Sequence, residues 1–470
     1  MMLVEDLAAF AVRASWDDVS DEARLELKIR VLDALGCAIG ALGEEPVRAV
    51  RAQVEDFGGR PLCTLIGGGR TGPDRAALHN GALVRYLDFN DSYLAPGETC
   101  HPSDNLCAVL AAAEYAERSG RDLLAALAVA YQVQCRLSDA APVRARGFDH
   151  TTQMAFAAAA GAARALGLDA ERAADAIAVA GTTGIDLRVT RTGALSNWKG
   201  LAAPHTGFDA LHAVFLAMRG VTGPREVFEG NKGFVDSVSG PFDIDWARED
   251  LERVTRTILK RYNAEIHSQS AIEGLLELRE QHGFAGEDVE VIELDVFDVA
   301  YHIIGGGEEG EKVTIRTKEE ADHSLPYLLA VAALDGQVLP EQYAPERIVR
   351  DDVQSLLRRV TVRPDEELSE RFPQDHACRL VVRLRDGRAL EVAKRGYEGF
   401  HTRPMRWETV VEKFERLSQP SADAGLRKDI VETVGGLEDA RVADLTTLLE
   451  RVTGPTPPPR ERRRIDHDER

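Results

Sequence analysis

Apolar residues, many of them alanine, recur at three- and four-residue intervals through the first half of the chain, and Gly and Pro punctuate them. That spacing predicts one helix after another, because it places the apolar side chains on a single face of a 3.6-residue turn. Ser20 followed by Asp21 and Glu22 reads as a cap with an acidic first turn. The helix it opens carries Leu25, Ile29, Leu32, Ile39 and Leu42 on one side until Gly43 stops it. Further helices are expected over 74–88, 104–118, 121–137, 151–166, 170–181 and 201–219. Near residue 285 the period changes from helical to alternating. The runs 289–296, 358–363 and 379–384 read as strands, and Asp386-Gly387 as the hairpin turn from the last of these into 389–392. Helical spacing returns over 409–417 and 441–452, and a Pro- and Arg-rich stretch from Thr453 onward reads as a disordered tail.

These patterns predict a mainly α protein with an α+β part: a large helical domain over 1–267 and a smaller α+β domain over 268–402. Two domains also suit 470 residues, which exceed one ordinary core. The formal net charge of -21 disfavours nonspecific binding to nucleic acid or to an anionic membrane. It also means that any site for an anionic substrate must be a local island of positive charge. The six cysteines at 37, 63, 100, 107, 135 and 378 form neither a C-x-x-C pair nor a disulfide framework, which fits a reducing cytoplasm. The acidic N-terminus lacks the features of a signal or transit peptide, and stretches such as Leu123 to Val133 are too short to span a membrane.

The densest chemistry lies in Leu87-Asp88-Phe89-Asn90-Asp91-Ser92, followed shortly by His101-Pro102-Ser103-Asp104-Asn105. An imidazole titrates near neutral pH and a nearby carboxylate can set its tautomer, so Asp88 and His101 are candidates for moving protons. Ser103 or Asp104 is expected to cap the helix starting near Leu106, leaving N–H groups for an anion. Lys199, Arg188 and Arg191 supply cations that could meet the charge accumulating when a proton leaves a carbon next to a carboxylate. With no H-E-x-x-H pattern and only scattered cysteines, cofactor-free and metal-free catalysis is expected. Gly67-Gly68-Gly69 and Gly305-Gly306-Gly307 lack the strand-to-helix context of a phosphate loop, and the remaining histidines read as surface or packing residues.

Five blocks occur in order along the chain. They are the Asp88 to Asn105 segment, Gly147-Phe148-Asp149-His150-Thr151, the run from Asp186 through Arg188 and Arg191 to Lys199-Gly200, Ala264 to Ser270, and Ala321 to Tyr327. Together they resemble the MmgE/PrpD family, and His-Pro-Ser-Asp-Asn is most similar to its 2-methylcitrate dehydratase branch. The resemblance implies that the last helical stretch, 403–452, completes the first domain. It implies a homodimer and a cleft between the domains that takes a small tricarboxylate. It gives catalytic roles to Asp88, His101, Lys199 and His267. Substrate contacts are implied for Ser92, which stands where many members carry Thr, and for His150, Arg188, Arg191, Gln269, Tyr301 and His323. The arginine segment favours dehydration of a tricarboxylate. Decarboxylation of cis-aconitate and epimerisation of an aminodicarboxylate such as iminodisuccinate are the alternatives, since all three pass through a carbanion beside a carboxylate.

Overall fold

A computed structural model describes residues 2–454. Nine helices build the first part: α1 (Leu3–Arg13), α2 (Asp21–Gly40), α3 (Glu45–Phe57), α4 (Pro73–Tyr86), α5 (Leu106–Tyr115), α6 (Gly120–Ala140), α7 (Thr151–Leu166), α8 (Ala170–Thr183) and α9 (Ala202–Met218). The cap of α2 forms as expected, with the Ser20 side chain accepting from the Ala23 N–H at 3.1 Å. Leu25 departs from the expected apolar face: it is 47% exposed, so the stripe of α2 begins one turn later. α1 lies outside the expected helices, because no polar side chain caps it and its start carries no turn signal.

Alanine governs how closely these helices meet. Ala157, Ala158, Ala159 and Ala160 of α7 are fully buried, and a Cβ on the neighbouring Gly161 would sit 2.9 Å from both Ala130 Cβ and Val109 Cγ2. Small residues thus let α7 approach α5 and α6 at near backbone contact, at native packing density. Two hairpins interrupt the helices: β1 (Cys63–Thr64) with β2 (Arg70–Thr71), and β3 (Tyr93–Ala95) with β4 (Glu98–Cys100).

The second part begins with α10 (Gln269–His282) and holds β5 (Val289–Val296), β6 (Val360–Pro364), β7 (Cys378–Leu384) and β8 (Ala389–Lys394), with α11 (Leu325–Asp335) beside them. The strands form one sheet in the order β6-β5-β7-β8, parallel at β5/β6 and antiparallel elsewhere. The alternation of β5 buries Val289, Ile292, Leu294 and Val296 against α10 and α11 in a core of its own. Three later helices, α12 (Trp407–Ser418), α13 (Ala424–Gly435) and α14 (Val442–Glu450), bury Val410, Phe414, Ile430 and Leu445 in the core of the first part. A Cβ on Gly36 of α2 would lie 3.2 Å from the Phe414 backbone, so α12 rests directly on α2. Beyond Gly454, the expected tail lies outside the described residues.

Among the described residues no helix is long and apolar enough to cross a membrane. All six cysteines are buried free thiols.

Candidate active site

Sharp turns at the end of α4 and across the β3/β4 hairpin bring the first motif together. Asp88 takes φ 55°, in the left-handed region that aspartate tolerates better than bulky residues, and its N–H donates to Arg85 O. The helix stops there and the carboxylate swings back over Arg85. The hairpin register pairs Tyr93 with Cys100, so Ser92 and His101 face each other just beyond it. Ser92 also exchanges two backbone hydrogen bonds with Ile258, which delivers Lys260 to Asp88.

Asp88 is the hub of a buried charge cluster. Its Oδ1 accepts from Arg85 and from Lys260 Nζ, both at 2.7 Å, and its Oδ2 accepts from Lys199 Nζ at 3.1 Å. Lys199 in turn donates to Asp322 at 2.6 Å, and Lys318 donates to the other Asp322 oxygen at 2.7 Å. Burial alone would push the Asp88 carboxyl up. Arg85, Lys260 and Lys199 outweigh it and hold the group well below the usual carboxylate range. A carboxylate so firmly ionised and triply paired is a poor proton carrier. Asp88 therefore does not form the expected pair with His101.

The His101 ring is instead set by the backbone: its Nδ1 lies 2.7 Å from the carbonyl of Asp91 and 3.1 Å from Ser92 Oγ. A carbonyl only accepts, so Nδ1 carries the proton and Nε2 presents a lone pair to the cavity. Burial, reinforced by Arg85 and Lys260, holds the imidazole well below its ordinary value and hence neutral. The expected consequence is that the acid limb of kcat/KM belonging to this base lies below pH 6.5. A pH–rate profile losing activity with a midpoint at or above that value would contradict it.

His267 faces the same cavity from the short turn Ile266–Ser268 ahead of α10, with a different partner. Its Nδ1 lies 2.6 Å from Glu265 Oε1, its backbone N–H donates to Glu265 Oε2, and its buried Nε2 has no protein partner. Burial opposes ionisation of Glu265, but the adjacent imidazole outweighs it and brings the carboxyl to about 2. Glu265 itself is positioned by a backbone bond to Asp322 O. Nearby, His323 directs Nδ1 to Asp322 Oδ1 at 2.7 Å.

The cavity lies between the two parts of the chain. Asp88, His101, His150, Arg188, Arg191, His267 and His323 line it, joined by Arg85, Glu98, Arg144, Lys260, Glu265 and Glu309. Four expected site residues do not. Lys199 is a strut between Asp88 and Asp322 and does not reach the cavity wall itself. Ser92 sits behind His101. Gln269 is fully buried and spends its amide on the backbone of Tyr262 and Ala264, tying the turn ahead of α10. Tyr301 packs beside His302 while Ile303, two residues on, reaches the cavity. Nor do Ser103 and Asp104 cap α5: they accept from the Asn90 side chain, within a short turn over Pro102–Asn105.

The two arginines separate in role. The 186–191 segment runs beside 147–149 through backbone bonds from Asp149 N to Asp186 O and from Arg188 N to Gly147 O. This puts Arg191 on Asp149 through Nε at 3.0 Å and Nη2 at 3.3 Å, with its Nη1 donating to Lys199 O at 2.6 Å. A guanidinium bonded through all three nitrogens holds the wall together, and two of its five N–H groups remain for a ligand in the cavity it lines. Arg191→Leu is expected to lower stability by about 3–5 kcal/mol, the cost of leaving buried Asp149 without its closest cation. A urea melt coinciding with wild type would sink that reading. Arg188 keeps more freedom: it donates to Glu309 at 2.7 Å, while its buried Nε has no partner. His150 stacks edgewise on His101 at 5.3 Å, its Nδ1 3.2 Å from Asp149, and burial brings it down to about 3.

Asp88, Asp322 and His323 are the one group among the described residues whose potential metal-ligating atoms lie within 4.8 Å of one another. Arg85, Lys199, Lys260 and Lys318 already meet those carboxylates, so a cation there would have to displace ammonium and guanidinium groups.

Both family models for this architecture match the chain: the MmgE/PrpD N-terminal domain over residues 5–247 and the MmgE/PrpD C-terminal domain over 262–438. The chain belongs to the MmgE/PrpD family. It is 26% identical to the mitochondrial 2-methylcitrate dehydratase of Yarrowia lipolytica, over 88% of this chain and 83% of that protein. It is 28% identical to an alkylcitrate dehydratase from a fungal species, covering 92% and 90% respectively. A cis-aconitate decarboxylase of Mus musculus is 25% identical over 91% of this chain and 89% of its own. Of the unexpected lining residues, Lys260, Arg144 and Glu309 lie outside the motif blocks, and Glu265 lies within one. Lys260 alone left a trace, as the last lysine before Ala264-Glu265-Ile266-His267.

Proposed function

We propose that this family member is a lyase that removes water from 2-methylcitrate or a closely related hydroxy tricarboxylate, yielding the cis-aconitate-type product without a metal. The observation that carries the reading is the His101 ring: neutral, with Nδ1 fixed to a carbonyl and Nε2 facing a cavity that four arginines, Lys260 and the Glu265–His267 pair also line. In this scheme His101 Nε2 takes the proton from the carbon next to a substrate carboxylate. The carbanion's charge is met by Lys260 and Arg85, both held at the cavity by Asp88. His267, whose ring is oriented by the contact of its Nδ1 with Glu265, protonates the departing hydroxyl, and water leaves. The names of the dehydratase relatives support the substrate class.

One observation also keeps decarboxylation in view. The charge of Arg191 is already met by Asp149, which weakens its pull on a third substrate carboxylate, and one relative is a cis-aconitate decarboxylase. The deciding experiment incubates purified protein with citrate, 2-methylcitrate and cis-aconitate, follows unsaturated product by ultraviolet absorbance and mass spectrometry, and traps carbon dioxide. Turnover of 2-methylcitrate without gas evolution is the expected result. Carbon dioxide from cis-aconitate with 2-methylcitrate left untouched replaces the dehydratase reading by the decarboxylase one. A methyl group is worth only about 1–3 kcal/mol in a pocket, so slower turnover of citrate is compatible with the assignment.

A further inference from the structure

One carboxylate on the cavity wall has no place in this chemistry. Glu309 belongs to a glycine-flanked acidic stretch, Gly305-Gly306-Gly307-Glu308-Glu309-Gly310-Glu311, in a chain segment that otherwise faces solvent. Its side chain nevertheless turns inward and is only 5% exposed. Oε1 accepts from Arg188 Nη2 at 2.7 Å and from Arg144 Nη2 at 3.2 Å, so one oxygen bridges two guanidinium groups. The fit is incomplete on both sides. Glu309 Oε2 is buried with no donor, and Arg188 Nε is buried with no acceptor.

The two arginines are held independently of Glu309. The turn that carries Arg144 is anchored by Glu98, whose Oε2 accepts from the Val143 and Arg144 N–H groups at 3.1 and 3.0 Å. Arg188 is fixed through its backbone bond to Gly147 and by Asp149 3.7 Å from its Nη1. The loop bearing Glu309 is by contrast lightly tethered. Its N–H bonds are all short-range, from Gly307 to Tyr301 O, Glu308 to His302 Nδ1, Glu309 to His302 O and Gly310 to Gly307 O, while Gly306 and Gly310 adopt φ of 103° and 101° with open space where a Cβ would point. These left-handed glycines can change conformation without a side chain in the way.

We infer that the Arg144–Arg188 guanidinium pair is a subsite for a substrate carboxylate, and that Glu309 fills it from within until a polycarboxylate displaces it. The inference rests on the carboxylate-substrate reading above and deepens it by naming where one carboxylate goes. Glu309 then competes with substrate, and apparent affinity falls by the fraction of molecules in which the pair is already occupied. It also lets a protein of strongly acidic charge keep a desolvated arginine pair neutralised between turnovers.

The probe is propane-1,2,3-tricarboxylate, which has no hydroxyl to lose, so binding is read by calorimetry apart from turnover. Glu309→Gln removes the competing charge and is expected to tighten binding about tenfold, while Arg144→Leu weakens it about tenfold. Unchanged or weaker binding by Glu309→Gln overturns the inference, since it would make Glu309 a support for Arg188. Should that variant misfold, wild type decides. Saturating tricarboxylate is expected to speed hydrogen exchange of the Glu309 amide as its bond to His302 is released, and slower or unchanged exchange overturns the proposal. The two readings fail separately. Wild type that binds the probe as described but dehydrates no hydroxy acid loses the proposed reaction and keeps the subsite. Dehydration of 2-methylcitrate with neither effect keeps the reaction and loses the subsite.

Discussion

Replacing His101 by alanine is expected to lower kcat by about 10²–10⁴-fold while the far-ultraviolet spectrum and the unfolding midpoint stay close to wild type. The reasoning is geometric. Nδ1 is spent on the Asp91 carbonyl, so the one free function of the ring is the Nε2 lone pair in the cavity. No carboxylate shares the proton, and burial keeps the ring neutral. The loss should therefore fall on the chemical step, with a much smaller change in affinity for a substrate analogue. Glutamine at 101 restores none of the rate, because an amide offers no comparable basic atom at the Nε2 position. Retention of more than a tenth of wild-type kcat in the alanine variant would remove His101 from the proton-transfer step and leave His267 as the acid/base group.

Asp88→Asn is expected to act mainly on stability, lowering it by about 3–5 kcal/mol. Asparagine keeps the shape and tolerates the left-handed backbone at this position, so the substitution isolates the charge. Without that charge Arg85, Lys260 and Lys199 face one another in a dry interior, with Asp322 beside Lys199 and Asp104, 3.6 Å from Arg85, as the remaining close anions. Activity falls as well, through the loosened Lys260 and Arg85. Chemical denaturation with two spectroscopic probes measures the first effect. A variant as stable as wild type but inactive would restore Asp88 to direct proton transfer. The pH dependence has a matching sign. Asp88 has a depressed carboxyl, so its contribution is present above the unfolded value near 3.8 and is lost as pH falls through the folded one.

What the sequence by itself determined follows from local periodicity. The helices over 151–166 and 170–181 and the strand over 289–296 come from short-range spacing of apolar residues, and they stand close to where that spacing places them. α1 and Leu25 escaped because caps and exposure depend on what lies beside a segment. The chemical content of the motifs was equally legible, in that His101, His150, Arg188, His267 and His323 all reach one cavity.

Which atom faces that cavity was decided only by the tertiary structure. Asp88 and His101 are neighbours in the chain pattern, yet long-range partners 111 and 172 residues from Asp88, Lys199 and Lys260, claim its carboxylate. A backbone carbonyl, invisible to any motif, claims the His101 proton. Arg188 and Arg191 look alike three residues apart, but a short turn beside Asp149 commits one and leaves the other facing Glu309. Charge pairing in a dry interior depends on distances of a few ångströms between distant segments, and hydrophobic spacing carries no information about them.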